Sequence, residues 1–331
     1  MNVMHDKLRV EVARSVPETE WQRRVEQCGG NALHLSAPHR AEQDPRDQRF
    51  LIFTRDQEIV ACAIAFERRR RLWGRVPQGP PTLWMPTAPA MLDGGLAPHV
   101  LDALVTHARQ SGCARLVIQP ASSEHLDRHD LLARHTTAAL VEFVLDLRRP
   151  FADILAGMHK YHRKNMRRAE ARGLVVTEDT SLDGLLRLRQ MQAVSAQRAS
   201  EKEHGFSVRD EAYFKQLFAH VYAAGLGQVL FAHLGDKPLA ALAFLTTAGR
   251  ALTVRSGSLP EGYDTYAMYL LHHELIRSLL ARGVVELNLG GVPAAASDPK
   301  HPQFGLYEFK QGFGGRAVTR LAVDMPLGAA S

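Results

Sequence analysis

Apolar and polar residues alternate along Leu8–Val16, which predicts a β-strand with one buried face. In Pro98–Ser111 the apolar residues recur instead at helical spacing, so this segment predicts an amphipathic helix. Its apolar stripe consists of Val100, Leu101, Leu104, Val105 and Ala108. Gly112 should end the helix, and Ala114–Ile118 then predicts a short buried strand.

The same succession of helix, glycine and strand returns later in the chain. Asp264–Arg282 has helical periodicity, Gly283 follows it, and Val284–Leu289 predicts a buried strand. The inward stripe of this second helix is Ala267, Leu270, Leu271, Leu275, Ile276 and Leu279. We therefore predict two similar α/β lobes joined near Arg148–Pro150, with boundaries at residues 1–149 and 150–331.

The other segments complete both lobes. Further strands are predicted at Phe50–Phe53, Ile59–Glu67, Ala138–Leu147, Leu174–Glu178, Gly227–His233, Pro238–Leu245, Arg250–Arg255 and Arg316–Asp324. Further helices are predicted at Pro17–Gly29, Phe151–Arg172, Leu182–Ala199 and Arg209–Ala224. Pro77–Pro81 cannot be a central strand throughout, because proline has no N–H to donate to a neighbouring strand. The fold class is α/β (α+β), and 331 residues suit two domains.

Composition narrows the class of protein. The hydrophobic content of 45% and charged content of 23% are those of a globular chain. Three scattered cysteines, Cys28, Cys62 and Cys113, predict neither a disulfide framework nor a zinc site, and we expect no metal. No signal-peptide pattern or membrane-spanning run is present in the sequence, so we expect a cytoplasmic monomer or weak dimer. The net charge of +6 favours a polyanionic partner.

The stretch Leu287–Gly315 carries the most distinctive pattern. A short strand leads to Gly290–Gly291, and a polar loop follows before Tyr307-Glu308-Phe309-Lys310. Glycines Gly312, Gly314 and Gly315 close the segment and permit close backbone approach. The residues alone leave two interpretations of Lys310 open. It is either a cation delivered to a pocket or a surface lysine on the first turn of a helix.

Several of these segments resemble the Fem family of aminoacyl-tRNA-dependent peptidyltransferases. The most specific is Tyr307–Gly315, YEFKQGFGG, which resembles the family signature near the C-terminus. Lys164–Gly173 resembles the family's basic helix, through Lys164, Arg168, Ala169 and Gly173. Pro77–Pro80 resembles its Gly-Pro strand, and Val144–Leu147 resembles the strand that enters the second lobe. The similarity covers most of the chain and is weakest before Leu72.

This resemblance implies a fold and a reaction. The fold would be two tandem GNAT-like lobes, each a mixed sheet flanked by helices, with the signature in the second lobe and no coiled-coil arm. The reaction would be attack by a free amine of a peptidyl acceptor on the ester of an aminoacyl-tRNA. The acceptor would be a peptidoglycan precursor or a peptide natural-product intermediate. No cofactor is implied, since the charged tRNA is itself the activated co-substrate.

The resemblance also assigns roles to residues near the signature. Lys310 would be the catalytic cation and would contact the oxyanion or the tRNA end. Tyr307 and Phe309 are candidate substrate contacts, with packing in the core as the alternative. Arg209 and Tyr213, one helical turn apart, resemble a family pair that holds acceptor phosphates. A solvated arginine at a helix start is the alternative for Arg209.

A run of basic residues marks the predicted helix Phe151–Arg172. We predict that Lys160, Arg163, Lys164, Arg167 and Arg168 bind the tRNA acceptor stem through its phosphates. A solvated basic face is the alternative. One departure from the family concerns Gln119, which stands where many members carry an aspartate before the proline of a first-lobe strand. A carboxylate base at this position is therefore not expected, which favours substrate-assisted proton transfer.

Two competing functions remain. The first is an acyl-CoA-dependent N-acyltransferase with a Gly-rich loop that binds pyrophosphate at a helix N-terminus. The letters of such a loop occur at Gln27–Ala32 and Arg109–Ala114, but both strings lie where we predict a helix to end, so their glycines are expected to be C-caps. The second is an RNA-binding protein without catalysis, which the lysine and glycines of the signature disfavour.

Overall fold

A computed structural model describes residues 8–72, 76–200, 206–247 and 249–328 of the chain. The chain forms two compact units. The first comprises Met1–Leu140 together with Thr319–Ser331, and the second comprises Val141–Val318. The boundary predicted from the sequence differs from this division because the C-terminal strand pairs with a strand of the first unit.

The first unit is a mixed sheet with short helices. Its helices are α1 (Glu18–Gln27), α2 (Ala97–Gln110) and α3 (Asp130–Ala133). Its strands are β1 (Arg9–Ala13), β2 (Gln48–Arg55), β3 (Glu58–Leu72), β4 (Val76–Met85), β5 (Arg115–Ile118) and the end of β12 (Arg316–Pro326). They lie in the order β1-β2-β3-β4-β5-β12. Strands β4 and β5 are parallel, whereas the pairs β1–β2, β2–β3, β3–β4 and β5–β12 are antiparallel.

In this unit, the helix α2 predicted from hydrophobic periodicity is present with the expected buried face. Every residue of the predicted stripe on α2 is buried, and the stripe belongs to the same hydrophobic core as Leu51, Phe53 and Leu83 of the sheet. The proline-containing segment lies within β4, but only residues 82–84 of this strand pair with strands on both sides. The prediction that this segment is not a central strand throughout is therefore confirmed.

The second unit holds the remaining elements. Its helices are α4 (Phe151–Gly157), α5 (Lys160–Ala171), α6 (Leu182–Ser200), α7 (Glu211–Leu217), α8 (Pro260–Asp264), α9 (Ala267–Ala281) and α10 (Phe304–Gln311). Its strands are β6 (Thr136–Asp146, from Val141 onward), β7 (Val175–Asp179), β8 (Gly227–Leu234), β9 (Lys237–Thr247), β10 (Arg250–Ser258) and β11 (Glu286–Pro293). They lie in the order β6-β11-β10-β9-β8-β7. Strands β10 and β11 are parallel, whereas β7 to β10 form antiparallel pairs.

The prediction of one long helix over Phe151–Arg172 was wrong. The chain leaves α4 at Met158 and re-enters helix after His159, and both residues have extended backbone angles. Met158 is buried, and the N–H of His159 donates to the carbonyl of Gly312 at 2.8 Å. The helix is therefore interrupted because this segment makes tertiary contacts with the C-terminal glycines, which periodicity cannot reveal.

Two other predicted helices are shorter in the structure. Helix α9 begins only after Tyr266, which has a φ of +61°, and α8 precedes it as a separate turn. Helix α7 begins after Asp210, whose side chain accepts a hydrogen bond from the N–H of Tyr213 at 2.8 Å. Arg209 thus lies before the helix cap, and a five-residue π-helix, Phe218–Tyr222, follows α7. Among the residues described, no helix is both long and apolar enough to cross a bilayer.

Candidate active site

The candidate site lies where β10 and β11 diverge. These parallel strands pair only from Arg250 to Leu252 against Glu286 to Asn288. Strand β10 then continues to Ser258 alongside β9, with a bulge between Thr253 and Arg255. Because the pairing of these strands ends there, the backbone groups beyond Leu252 and Asn288 are not hydrogen-bonded to each other across the two strands.

Lys310 projects into this opening from the last turn of α10. Its Nζ donates to the carbonyl oxygen of Gly291 at 3.2 Å. A Cβ added to Gly290 would lie 3.2 Å from that Nζ and 3.3 Å from the carbonyl oxygen of Thr253, and Gly290 has a φ of +74°. Glycine is thus required here by both conformation and space. The position in the last turn excludes the alternative of a surface lysine on a first helical turn.

Burial gives the Lys310 ammonium unusual acidity. Withdrawal from water lowers the pKa of Lys310 to about 8, and the nearby carboxylate of Glu142 opposes part of this change. The ammonium form therefore predominates at neutral pH, but the group can release its proton within the physiological range. Such a group can serve either as a cation or as a proton donor.

A buried polar pair, Glu142 and Asn288, is hydrogen-bonded to the backbone of the turn at Gly290. Glu142 is 1% exposed and Asn288 is 4% exposed. The amide of Asn288 donates to Glu142 Oε2 at 2.9 Å, and its Oδ1 accepts from the N–H of Gly290 at 2.8 Å. We did not select either residue from the sequence. A single polar residue inside each of the apolar strands β6 and β11 was the available signal.

Aromatic rings and neutral histidines surround the base of Lys310. His272 stacks on Phe313 with ring centroids 4.7 Å apart, and its Nδ1 contacts the carbonyl oxygen of Met268 at 2.8 Å. Complete burial lowers the pKa of His272 to about 4. His272 is therefore neutral at pH 7 and places no second charge beside the ammonium of Lys310.

The neighbouring His273 lies near the carboxylates of Glu170 and Glu274. Within the described residues, these three form the one group whose candidate metal-ligand atoms all lie within 4.8 Å of one another. Arg277 already pairs with Glu274 at 3.1 Å. We assign this surface cluster no role in the candidate site.

The two aromatic residues of the signature lie on the same helix as Lys310 but face the core. Tyr307 meets Phe143 edge to face, with ring centroids 5.2 Å apart. Phe309 packs against Tyr269 at 5.0 Å and against Phe313 at 5.1 Å. Both rings are half-buried, so their contacts support α10, and the predicted role of either in substrate binding stays a prediction.

A second group of polar residues surrounds Tyr213. Arg255 Nη2 donates to the hydroxyl of Tyr213 at 2.6 Å, and its guanidinium carbon lies 5.1 Å from the ring centroid. The guanidinium of Arg209 lies 5.5 Å from the same ring. The structure thus brings Arg209 and Tyr213 together although Arg209 is outside the helix. Sequence reasoning missed Arg255, whose position inside a strand was the available signal.

The predicted RNA-binding residues of α5 differ in their surroundings. Arg163 Nη1 donates to the carbonyl oxygens of Leu155 at 3.2 Å and Ala156 at 3.1 Å, and also to that of Met158. Arg163 therefore satisfies the C-terminal end of α4. Arg168 donates to the hydroxyl of Tyr266 at 3.2 Å. The other three predicted residues are exposed: Lys160, Lys164 and Arg167.

The two candidate coenzyme A strings have helix-ending geometry. Gly29 and Gly112 both have a φ of +69° and directly follow the ends of α1 and α2. The N–H of Gly30 donates to the carbonyl of Val25, as in a helix C-cap. Neither string leads from a strand into a helix N-terminus, so neither is a pyrophosphate-binding loop.

Comparison with known proteins agrees with this architecture. Residues 156–311 match the family model described as the acetyltransferase (GNAT) domain. The chain superposes on the crystal structure of FemX with a TM-score of 0.74 and 13% identity, covering 96% of this chain and 97% of that one. No curated protein matches it by sequence.

Two further solved structures have the same architecture. A tandem GNAT protein from the clavulanic acid biosynthesis pathway gives a TM-score of 0.50 and 13% identity, covering 98% of this chain and all 100% of that one. L-PGS from Bacillus licheniformis gives a TM-score of 0.53 and 16% identity, covering 93% of this chain and 91% of that one. The fold is that of tandem GNAT-type acyltransferases, which confirms the predicted pair of GNAT-like lobes and supports a transferase.

Proposed function

We propose that the protein transfers an amino acid from a charged tRNA to a free amine of a peptidyl acceptor. The observation that carries this proposal is the placement of the Lys310 ammonium between the diverging strands β10 and β11. The similarity to FemX over nearly the whole length of both chains supports it. The acceptor is a peptidoglycan precursor or a peptide natural-product intermediate.

The reaction requires little covalent chemistry from the protein. The acceptor amine attacks the ester carbonyl, a C–N bond forms, and the C–O bond to the ribose breaks. The amine loses a proton and the departing ribose oxygen gains one. Lys310 stabilises the negative charge that develops on oxygen, and its pKa of about 8 suits proton donation to the leaving oxygen.

Other residues hold the two substrates. Arg209 and Arg255 lie beside Tyr213 and supply positive charge for an anionic group of the acceptor, either phosphate or carboxylate. The exposed cations of α5 supply charge for RNA phosphates. Gln119 cannot act as a carboxylate base, so the proton of the amine leaves by substrate-assisted transfer and replaces the proton that Lys310 gives to the departing ribose oxygen.

An acyl-CoA-dependent N-acyltransferase is the second candidate. The match to the acetyltransferase (GNAT) domain favours it, and diverging parallel strands can hydrogen-bond an amide-containing acyl carrier as readily as an aminoacyl ester. The geometry of Gly29 and Gly112 argues against it, since both candidate pyrophosphate strings are helix C-caps.

One experiment separates the two donors. The protein is incubated with a candidate peptidyl acceptor and a mixed pool of charged tRNAs, with and without ribonuclease. Mass spectrometry then measures the mass of the acceptor. We expect a gain of one amino-acid residue that ribonuclease abolishes. Acylation that occurs only when acyl-CoA replaces tRNA would refute the proposed donor.

A substitution tests the role of the lysine. Lys310→Ala should reduce turnover by about a hundredfold or more, the usual effect of removing one oxyanion-stabilising group, while RNA affinity changes little. Lys300→Ala, on an exposed position of the same C-terminal stretch, is the matched control and should leave turnover unchanged. Full turnover in Lys310→Ala would remove Lys310 from the mechanism.

A further inference from the structure

Tyr161, in the first turn of α5, is 58% exposed. Among the described residues between 151 and 174, it is the one large hydrophobic side chain that is exposed. Its neighbours along the helix that point inward, His162 and Met166, are both buried. Tyr161 therefore contributes nothing comparable to the core, and its ring is presented to solvent.

Charged and aromatic groups surround this ring. The Nζ of Lys160 lies 5.7 Å from the ring centroid, and Lys164 follows one helical turn later. The imidazole of His159 lies 5.3 Å away at an interplanar angle of 32°, and the Tyr161 side chain is still 58% exposed. Within the described part of the chain, neither lysine forms an ion pair.

Most of the other cations on or next to α5 already have partners. Arg163 caps α4, and Arg168 and Arg172 lie over the ring of Tyr266 at 5.5 Å and 5.3 Å. Arg167 is exposed, and its Nε donates to the carbonyl oxygen of Arg163 at 3.3 Å. Lys160 and Lys164 are also exposed and lie one residue before and three residues after Tyr161 in the helix, so they place positive charge beside its ring. We call Lys160, Tyr161 and Lys164 the Tyr161 patch.

Hydrogen bonds anchor this patch to the helix that carries Lys310. His162 Nε2 contacts the carbonyl oxygen of Phe309 at 2.8 Å, and the N–H of His159 donates to the carbonyl of Gly312 at 2.8 Å. Phe309 and Gly312 are the immediate and second neighbours of Lys310 in the sequence. A nucleotide bound at the patch would therefore be held in a fixed position relative to Lys310.

We propose that the Tyr161 patch is a stacking site for an unpaired nucleotide at the 3′ end of an RNA, with Lys160 and Lys164 contacting its phosphates. This inference rests on the proposed function and names a contact for its RNA substrate. An exposed aromatic face takes a base that is free of a helix, and flanking cations neutralise the backbone. A single exposed tyrosine in the segment 151–174 offers little to a membrane surface, which would require a broader apolar face.

Fluorescence anisotropy with two RNA probes tests the proposal. One probe is a short hairpin with a single-stranded 3′ CCA tail, and the other is the same hairpin with a blunt end. Tyr161→Ala should weaken binding of the tailed hairpin roughly tenfold or more, the usual effect of removing one stacking platform. Binding of the blunt hairpin should be unchanged, and Tyr161→Phe should retain wild-type affinity for both.

Tyr263→Ala is the matched control. Tyr263 is also an exposed tyrosine beside a cation, with Arg198 3.8 Å from its ring, but it is not on α5. This variant should bind both probes as the wild type does. Thermal melting should show that both alanine variants are folded, since both side chains are exposed.

Three results would overturn the inference, and they show whether the proposed function fails with it. Wild-type protein that binds neither hairpin would refute the proposed function together with the stacking site. Tight binding of the tailed hairpin by Tyr161→Ala would refute the stacking site alone. Binding of the wild type, but not of Tyr161→Ala, to phosphatidylglycerol vesicles in the absence of RNA binding would identify the patch as a membrane contact.

Discussion

Lys310 has a positive charge in a place that is poorly hydrated. Burial disfavours the ammonium form, and Glu142 recovers only part of that loss. An ammonium group in such a position lowers the free energy of unfolding, and its lowered pKa makes it a better proton donor. Lys310 is therefore better explained by chemistry at the opening between β10 and β11 than by a contribution to stability.

Substituting Lys310 with methionine should stabilise the protein at pH 7. The fall in the pKa of Lys310 from 10.5 to about 8 corresponds to roughly 3 kcal/mol at about 1.4 kcal/mol per pH unit. Below pH 8 both folded and unfolded chains hold the proton, so the full cost applies and the variant should show the full gain. Urea unfolding at pH 7 measures the difference in free energy of unfolding.

The difference in free energy of unfolding between Lys310→Met and the wild type should shrink as the pH rises. Between about pH 8 and 10.5 the unfolded chain holds more protons at Lys310 than the native chain does, so the wild type gains stability relative to the variant. Equal stability of the two proteins at pH 7 would contradict the assigned burial of the ammonium group.

Glu142 should set the alkaline limit of activity. Its carboxylate raises the pKa of Lys310, so Glu142→Gln should move the fall in kcat/KM to lower pH, while the glutamine can still accept from Asn288. Glu308→Gln, which removes an exposed carboxylate from α10, is the control and should leave the profile unchanged. A limit that stays in place or moves to higher pH in Glu142→Gln would refute the electrostatic role of Glu142.

The contact of α5 with α10 joins the basic helix to the helix that carries Lys310. His162 lies within a group of rings that includes Tyr269 at 4.9 Å and Phe313 at 4.7 Å. Gly312 has ordinary helical angles, yet a Cβ there would overlap the imidazole of His162. The glycine is therefore required by the neighbouring helix and not by its own backbone conformation.

Gly312→Ala should destabilise the second unit by about 1–3 kcal/mol, the usual cost of overpacking a buried contact. Gly305→Ala is the matched control on the same helix, since a Cβ at Gly305 meets no atom within 4 Å. It should be neutral or slightly stabilising because alanine favours helix. Thermal unfolding measures both effects.

A double substitution tests whether His162 is the cause. Adding His162→Ala should remove the specific cost of Gly312→Ala, so the two effects should not add. Strict additivity of the two losses would mean that the imidazole ring is not what excludes a side chain at Gly312.

Each of the two units has its own hydrophobic core. One core is built from residues of the second unit alone, from Phe143 to Phe313. The other includes Val323 and Met325 of β12 together with residues near the N-terminal end of the chain, such as Leu51. The last strand is thus part of the first core although it follows the second unit in sequence.

Val323→Asp should therefore destabilise the first unit. Val323 is 1% exposed and stands opposite Ile118 of β5, so an unpaired carboxylate there should cost more than about 3 kcal/mol. Hydrogen exchange should show lost protection in β2, β3 and β5, with β8 and β9 less affected. Val12→Asp, at a position 43% exposed, is the control. Equal loss of protection in both units would show that their cores unfold as one.

Local periodicity identified most elements because burial repeats with the geometry of a helix or strand. It failed at Phe151–Arg172, where the apolar spacing continues across a break that the Gly312 contact imposes. It also placed Arg209 inside a helix that Asp210 caps. The first error concerns a contact between residues far apart in the chain, whereas the second concerns the local cap in which the Asp210 side chain accepts from the N–H of Tyr213.

The resemblance to a known family supplied the GNAT-like character of the lobes and the choice of Lys310 as a candidate catalytic residue. The sequence by itself determined the pair of α/β lobes, the apolar faces of the helices and the glycines that surround Lys310 in the chain. These properties depend on spacing, backbone freedom and residue type, which are local. Only the tertiary structure decided that Glu142 and Asn288 support the Gly290 turn, that Arg255 contacts Tyr213, and that Arg163 caps α4. Burial, pKa and hydrogen-bond partners depend on which distant segments the fold brings together, and no local pattern encodes them.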